Sequence, residues 1–279
     1  MRKINVKEIE EGVFNATLKA NFLLRKDVLD AFKKAIKNET KAAARNMLKI
    51  LIKNAKIAKK EKLAICQDSG MAVVFCEIGS ETHVSGDINK AINRGIKRAY
   101  KLGFLRKSVV ADPLTRKNTN TNTPAIIHYD IIPGNKIKIS IMPKGFGSEN
   151  SSFMQMFNPT ASQEEITEFV VNKAKEVAVN ACPPVILGIG IGGTLDKAAF
   201  LGKKALLGHI NKNNPKKHIA KLEKEILKNL NKTNIGPMAL GGKTTCVGVK
   251  ILTYPTHIAG LPVCVNVSCH ALRSASLVL

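Results

Sequence analysis

Three of the six cysteines lie among polar and turn-forming residues. They are Cys66 in Ile65-Cys66-Gln67-Asp68-Ser69-Gly70, Cys182 in Ala181-Cys182-Pro183-Pro184, and Cys269 in Val267-Ser268-Cys269-His270. Cys76, Cys246 and Cys264 stand inside apolar or alternating runs, where a small hydrophobe would serve as well. Three thiolates would hold an iron–sulfur cluster at three corners and leave one iron open, and an open iron is a Lewis acid. Spacing alone does not establish such a site. The three cysteines are far apart, unlike the compact Cys runs of ferredoxins, and three buried structural thiols are the simpler reading. Their company shifts the balance. Gln67-Asp68-Ser69-Gly70 puts an amide, a carboxylate and a hydroxyl on a tight turn. Pro183-Pro184 cannot continue a helix, so Cys182 falls where a helix stops. Cys269 follows a strand-like run, and such element ends are where binding residues gather. Zinc is the main metal alternative, although zinc sites seldom pair three remote cysteines with an open carboxylate-binding pocket.

Two glycine-containing segments bear on the same question. Lys144-Gly145-Phe146-Gly147-Ser148-Glu149-Asn150-Ser151-Ser152 offers backbone N–H groups and a lysine to an anion, but it lacks the Walker pattern, and a plain turn fits it equally well. Gly188-Ile189-Gly190-Ile191-Gly192-Gly193-Thr194 lacks the G-x-G-x-x-G frame of a dinucleotide site. Its glycines read as allowing close backbone approach to the site.

The elements that must carry these residues are partly visible. Val28, Leu29, Phe32, Ala35 and Ile36 repeat at helical spacing after Asp27, which reads as an N-cap. Leu48, Leu51, Ile52 and Ala55 form a second stripe, and Asp87 to Leu102, Glu164 to Val179 and Ile219 to Leu230 read as further helices. Met71 to Ile78, Val185 to Ile191, Thr245 to Ile251 and Val263 to Val267 have strand length and composition. Ala125 to Ile132 and Lys136 to Met142 suggest a hairpin around Pro133-Gly134-Asn135, its second strand alternating strictly and so half-exposed. Thr115 to Thr123 reads as a surface loop or a mobile flap. The expected fold class is α/β: a mixed or largely antiparallel β-sheet flanked by α-helices, in a single domain spanning 1–279 with a helical N-terminal part.

Composition narrows the function. A net charge of +23 raises nucleic-acid binding as a different class of function. Against it, the cations are mostly lysine, aromatics are 5% with no Trp, and no RNA- or DNA-binding signature appears. The positive field suits dianionic substrates or an acidic partner subunit. No run reaches the length of a membrane span. The start, Met1-Arg2-Lys3-Ile4-Asn5, lacks a signal-peptide core, so a cytoplasmic location is expected, and cysteines there act as ligands or buried thiols rather than disulfides.

Taken together, Cys66-Gln67-Asp68-Ser69-Gly70, Gly147-Ser148-Glu149-Asn150, Ala181-Cys182-Pro183-Pro184 with the following glycine-rich strand, and Pro255-Thr256-His257 leading to Ser268-Cys269 resemble the class I (iron–sulfur) fumarate hydratases. The likeness covers nearly the whole chain and is to the alpha subunit of the two-subunit fumarase and tartrate dehydratase group. It implies a [4Fe–4S] cluster on Cys66, Cys182 and Cys269. It places Gln67, Arg106 and Gly147 at the substrate, Asp68 as the proton-handling group and His257 beside it in catalysis. It implies reversible hydration of fumarate to (S)-malate, with L-tartrate dehydration as the sibling reaction. Single-chain members carry a second domain that this sequence does not show, so a separate beta subunit and a hetero-oligomer are expected. Outside the likeness, Arg106 reads as a surface arginine and His257 as a core histidine.

Overall fold

The computed structural model describes residues 2–279. In chain order the elements are β1 (Arg2–Asn5), α1 (Val6–Phe22), α2 (Lys26–Asn38), α3 (Ala42–Glu61), β2 (Met71–Gly79), β3 (Thr82–Ser85), α4 (Ile88–Leu102), β4 (Ile126–Ile132) and β5 (Ile137–Lys144). They continue with α5 (Phe146–Glu149), β6 (Phe153–Phe157), α6 (Gln163–Ala178), β7 (Val185–Ile191), α7 (Leu195–Ala205), α8 (Lys217–Asn231), β8 (Cys246–Thr253), β9 (Leu261–Ser268) and β10 (Ala275–Val278). The sequence reads as one domain; the chain gathers into two compact units, one of Met1–Leu24, Asn54–Phe146 and Arg273–Leu279, the other of Arg25–Lys53 and Gly147–Leu272. Each has its own mixed sheet, which bears out the fold class.

In the first unit the sheet runs β10-β5-β2-β4, with β2 and β4 parallel and the other pairs antiparallel. α1 and α4 pack together, and Ile9, Val13, Ile92, Ile96, Ile137, Ile139 and Ile141 are all fully buried in its core. α1 begins at a capping box, Asn5 with Glu8, and Asp87 caps α4 by accepting from Lys90 N at 2.9 Å. The expected hairpin is corrected: β4 and β5 both form but never pair, because β2, the most continuously apolar strand, enters between them. Its turn nevertheless closes on Gly79, whose N–H reaches Lys136 O at 2.8 Å. The alternation expected for β5 holds at its start, where Lys136 and Lys138 are exposed and Ile137 and Ile139 buried, and ends at Ser140, which is buried against Ser276 of β10.

In the second unit the sheet runs β6-β9-β7-β8, β7 and β8 parallel, β9 antiparallel to both its neighbours. The glycines of β7 have a plainer role than the sequence suggested. A Cβ on Gly190 would stand 2.0 Å from Ala198 O, and one on Gly188 would stand 2.2 Å from Gly202 O. They let α7 lie directly on the strand. Gly190→Ala should therefore push α7 off β7 and destabilise this unit by about 1–3 kcal/mol, read as a fall in the denaturant midpoint. An unchanged midpoint would mean that α7 has room to move.

Asp27 is likewise corrected. It lies inside α2 rather than capping it, and its buried carboxylate takes Arg25 and the Ile210 N–H, the latter at 2.9 Å.

Candidate active site

Within the first unit, the Cys66–Gly70 loop is fastened at both ends. Before it, Ile65 is buried, with its N–H on Asn21 O at 3.0 Å and its carbonyl accepting from Asn54 Nδ2 at 2.9 Å. After it, Gly70 has φ +71, and a Cβ there would come within 2.6 Å of the Lys144 backbone, so glycine alone fits. Between these ends every carbonyl from 68 to 70 is claimed by a side chain from elsewhere in the unit. Arg273 Nη2 donates to Asp68 O. Tyr100 Oη lies 2.7 Å from Ser69 O and 3.0 Å from Gly70 O. Asn122 Nδ2 donates to Gly70 O at 3.0 Å, while its Oδ1 accepts from Ser108 N at 2.7 Å. Arg273, Tyr100 and Asn122 are all buried.

The loop's side chains stand the other way. Gln67 is exposed, and the half-buried Cys66 lies 3.3 Å from its Oε1. The Asp68 carboxylate is held by two main-chain donors, Gly70 N at 3.1 Å and Phe146 N at 2.7 Å. Arg106 is brought to the same loop: Ser69 Oγ donates to its carbonyl at 2.7 Å, and its side chain is exposed. Four of the expected site residues, Cys66, Gln67, Asp68 and Arg106, thus form one cluster.

Within the second unit, Cys182 is exposed and adopts a left-handed backbone, φ 51 and ψ 71. That conformation is unfavourable for a non-glycine residue and collects at functional sites. Its carbonyl accepts from His270 N at 3.3 Å and lies 3.0 Å from His270 Nδ1, which brings the half-buried Cys269 beside it. Gly147 lies over Asn180, two residues before Cys182, with room for a Cβ 3.7 Å from the Asn180 carbonyl. Glu149 in the same motif is held by Lys203 and by Asn266. His257 belongs to another loop, tied by Thr256 Oγ1 to Gly193 O at 3.1 Å. It is exposed, not a core histidine, and its Nδ1 accepts from Ala259 N at 3.2 Å.

The remaining cysteines are of another kind. Cys76, Cys246 and Cys264 are 1%, 2% and 7% exposed. Burial pushes the first two thiols up to about 12 and the third to about 11. They stay protonated at neutral pH, and a thiol is a poor metal ligand. Among the described residues, no three His, Cys, Asp or Glu side chains converge on a point where one metal ion would be held. Cysteines that ligate different irons of a cluster need no such convergence. No described helix is long and apolar enough to cross a membrane.

Sequence reasoning missed Tyr100, Asn122 and Arg273. Only Arg273 left a trace, a charge directly after the apolar Ala271-Leu272.

Comparison with known proteins agrees with the likeness seen in the motifs. The fumarate hydratase (Fumerase) family matches residues 10–278. A protein of Methanocaldococcus jannaschii, provisionally named L(+)-tartrate dehydratase subunit alpha, is 40% identical over 96% of this chain and 96% of its own. The L(+)-tartrate dehydratase subunits alpha of Escherichia coli K12 and Shigella sonnei are each 29% identical over 98% of this chain and 91% of theirs.

Proposed function

The chain belongs to the fumarate hydratase (Fumerase) family, and from that we propose that it is the alpha subunit of a two-subunit hydro-lyase dehydrating a small hydroxy-diacid, L(+)-tartrate first. The observation carrying this reading is the sorting of the thiols. Cys66, Cys182 and Cys269 are accessible at loop positions, and the other three are buried and protonated. That donor set fits a [4Fe–4S] cluster held by three thiolates. When bound, the cluster supplies Lewis-acid polarisation of a substrate hydroxyl and carboxylate.

The chain's own residues supply the rest. Elimination removes a hydroxyl from one carbon and a proton from its neighbour, loading negative charge onto a carboxylate. The Arg106 guanidinium matches a carboxylate with its planar fork. Gln67 adds an amide, and the Gly147 N–H a main-chain donor, for developing charge. Asp68, pinned by two N–H groups, is fixed in place to take or return the proton. His257, whose Nδ1 is occupied by the Ala259 N–H, would use Nε2 as a second proton-handling group. The proposed partner is a beta subunit, supported by the word alpha in the relatives' names, and the proposed setting is cytoplasmic.

Hydration of fumarate to (S)-malate is the second reading, favoured by the family's description. The test is anaerobic co-expression with the partner subunit, assay of iron and sulfide, and turnover of L(+)-tartrate, (S)-malate and fumarate. The expected result is cluster in the pair, faster turnover of tartrate, and none from the isolated chain. Faster malate–fumarate exchange would install the second reading. Absence of sulfide, or turnover of no diacid, would overturn both, and robust turnover by this chain alone would remove the partner.

A further inference from the structure

We propose that Arg273 is a positioning residue for Asp68, setting the orientation of the 68–69 peptide and with it the place of the Asp68 carboxylate; for catalysis, this rests on the function proposed above. The guanidinium carries five N–H donors, and Arg273 is only 3% exposed. Taking such a charge out of water costs several kcal/mol. Nevertheless, the one hydrogen bond it makes among the described residues is from Nη2 to the Asp68 carbonyl, and Nε and Nη1 have no partner there. A guanidinium serving as a general cross-link would spread its donors over several segments. Arg25 does this, donating to Asp27, Leu206 O and Gly208 O.

The neighbouring peptides do not need Arg273. Ser69 O and Gly70 O are held by Tyr100 and Asn122, and Gly70 is locked by its close approach to Lys144. Only the 68–69 peptide depends on the arginine. Its rotation would swing the Asp68 side chain away from Gly70 N and Phe146 N, the two amides its carboxylate covers. Loss of Arg273 should therefore be felt at these amides and not throughout the unit.

The test has two arms. Hydrogen exchange of the full chain, Arg273→Met against wild type, should show faster exchange in peptides carrying the Gly70 and Phe146 amides and wild-type exchange elsewhere. In the cluster-loaded pair, the same variant should lose kcat by about 100-fold, the size of a displacement near 1 Å at a reacting group. KM and iron content should stay at wild-type values, and Arg273→Lys, which keeps a donor group and the charge, should recover part of kcat. Exchange raised across the whole unit, or unchanged at those amides, would overturn the proposal, as would a rise in KM with kcat intact. If Arg273→Met does not fold, Arg273→Lys decides by the same readouts, with faster local exchange expected. If the wild-type pair turns over no diacid, the proposed function fails while the exchange arm still judges Arg273.

Discussion

Serine at Cys66, Cys182 or Cys269 is expected to strip iron from the protein and abolish turnover, whereas alanine at Cys76, Cys246 or Cys264 leaves iron at the wild-type level. The ligand is the thiolate, and serine keeps the shape while removing the sulfur that iron prefers. The two groups of cysteines differ in the physics of their surroundings. Cys182 is exposed in a left-handed backbone held by His270, and Cys66 and Cys269 are half-buried at loop positions. Cys76 lies inside β2, Cys246 begins β8, and Cys264 lies inside β9; burial keeps all three as thiols. The same contrast predicts labelling. Iodoacetamide should modify Cys66, Cys182 and Cys269 first in cluster-free protein, and reconstitution beforehand should protect those three. Full iron retention in any of the serine variants would show that a different trio binds, and prior labelling of Cys76 or Cys264 would undo the argument from burial.

The thiols could be sorted from sequence because each cysteine's immediate neighbours already report its environment: apolar runs around Cys76, Cys246 and Cys264, turn residues around the others. Helices were legible for a similar reason. The stripe through Val28, Phe32 and Ala35 and the one from Ile88 to Ala99 are local periodicities, and Asp87 caps the helix it precedes. What failed depended on distant partners. Ala125–Ile132 and Lys136–Met142 satisfy every local rule for a hairpin, yet β2 competes successfully for both strands with a longer apolar run. β1 and β3, four residues each, pair in parallel and have no pattern long enough to be seen. Thr115–Thr123 is the surface loop it looked like except at Asn122, which is fully buried and holds Gly70. Tyr100 falls inside the stretch read as a helix, where nothing marked it out; the structure uses its hydroxyl to clamp the Cys66–Gly70 loop. A residue that acts by supporting another leaves no periodicity of its own.

Asp27→Ala should destabilise the second unit by about 3–5 kcal/mol, the usual cost of removing one partner from a buried ion pair. Asp27 is 4% exposed, and its carboxylate answers Arg25, whose other donors hold Leu206 O and Gly208 O at 2.6 Å each. It also receives Ile210 N at 2.9 Å, and its carbonyl receives Asn211 Nδ2 at 3.1 Å. Truncation leaves a largely buried guanidinium without its counter-charge and an N–H without its acceptor. The consequence extends to pH. Burial alone would raise the Asp27 carboxyl, but the Arg25 and Ile210 hydrogen bonds outweigh it and hold it below its ordinary value. Glu39, also buried, behaves alike: the Lys243, Lys41 and Thr40 N–H groups and the Thr244 hydroxyl overcome desolvation. A carboxylate whose folded pKa is depressed contributes stability that is complete above its unfolded value, about 4, and is lost as pH falls through the folded one. The wild-type chain should therefore lose stability below about pH 4 more steeply than Asp27→Ala. Denaturant midpoints for the two should be well separated at pH 7 and converge in acid. A gap that stays constant down to pH 3 would mean that Asp27 stabilises this unit by packing and not by charge.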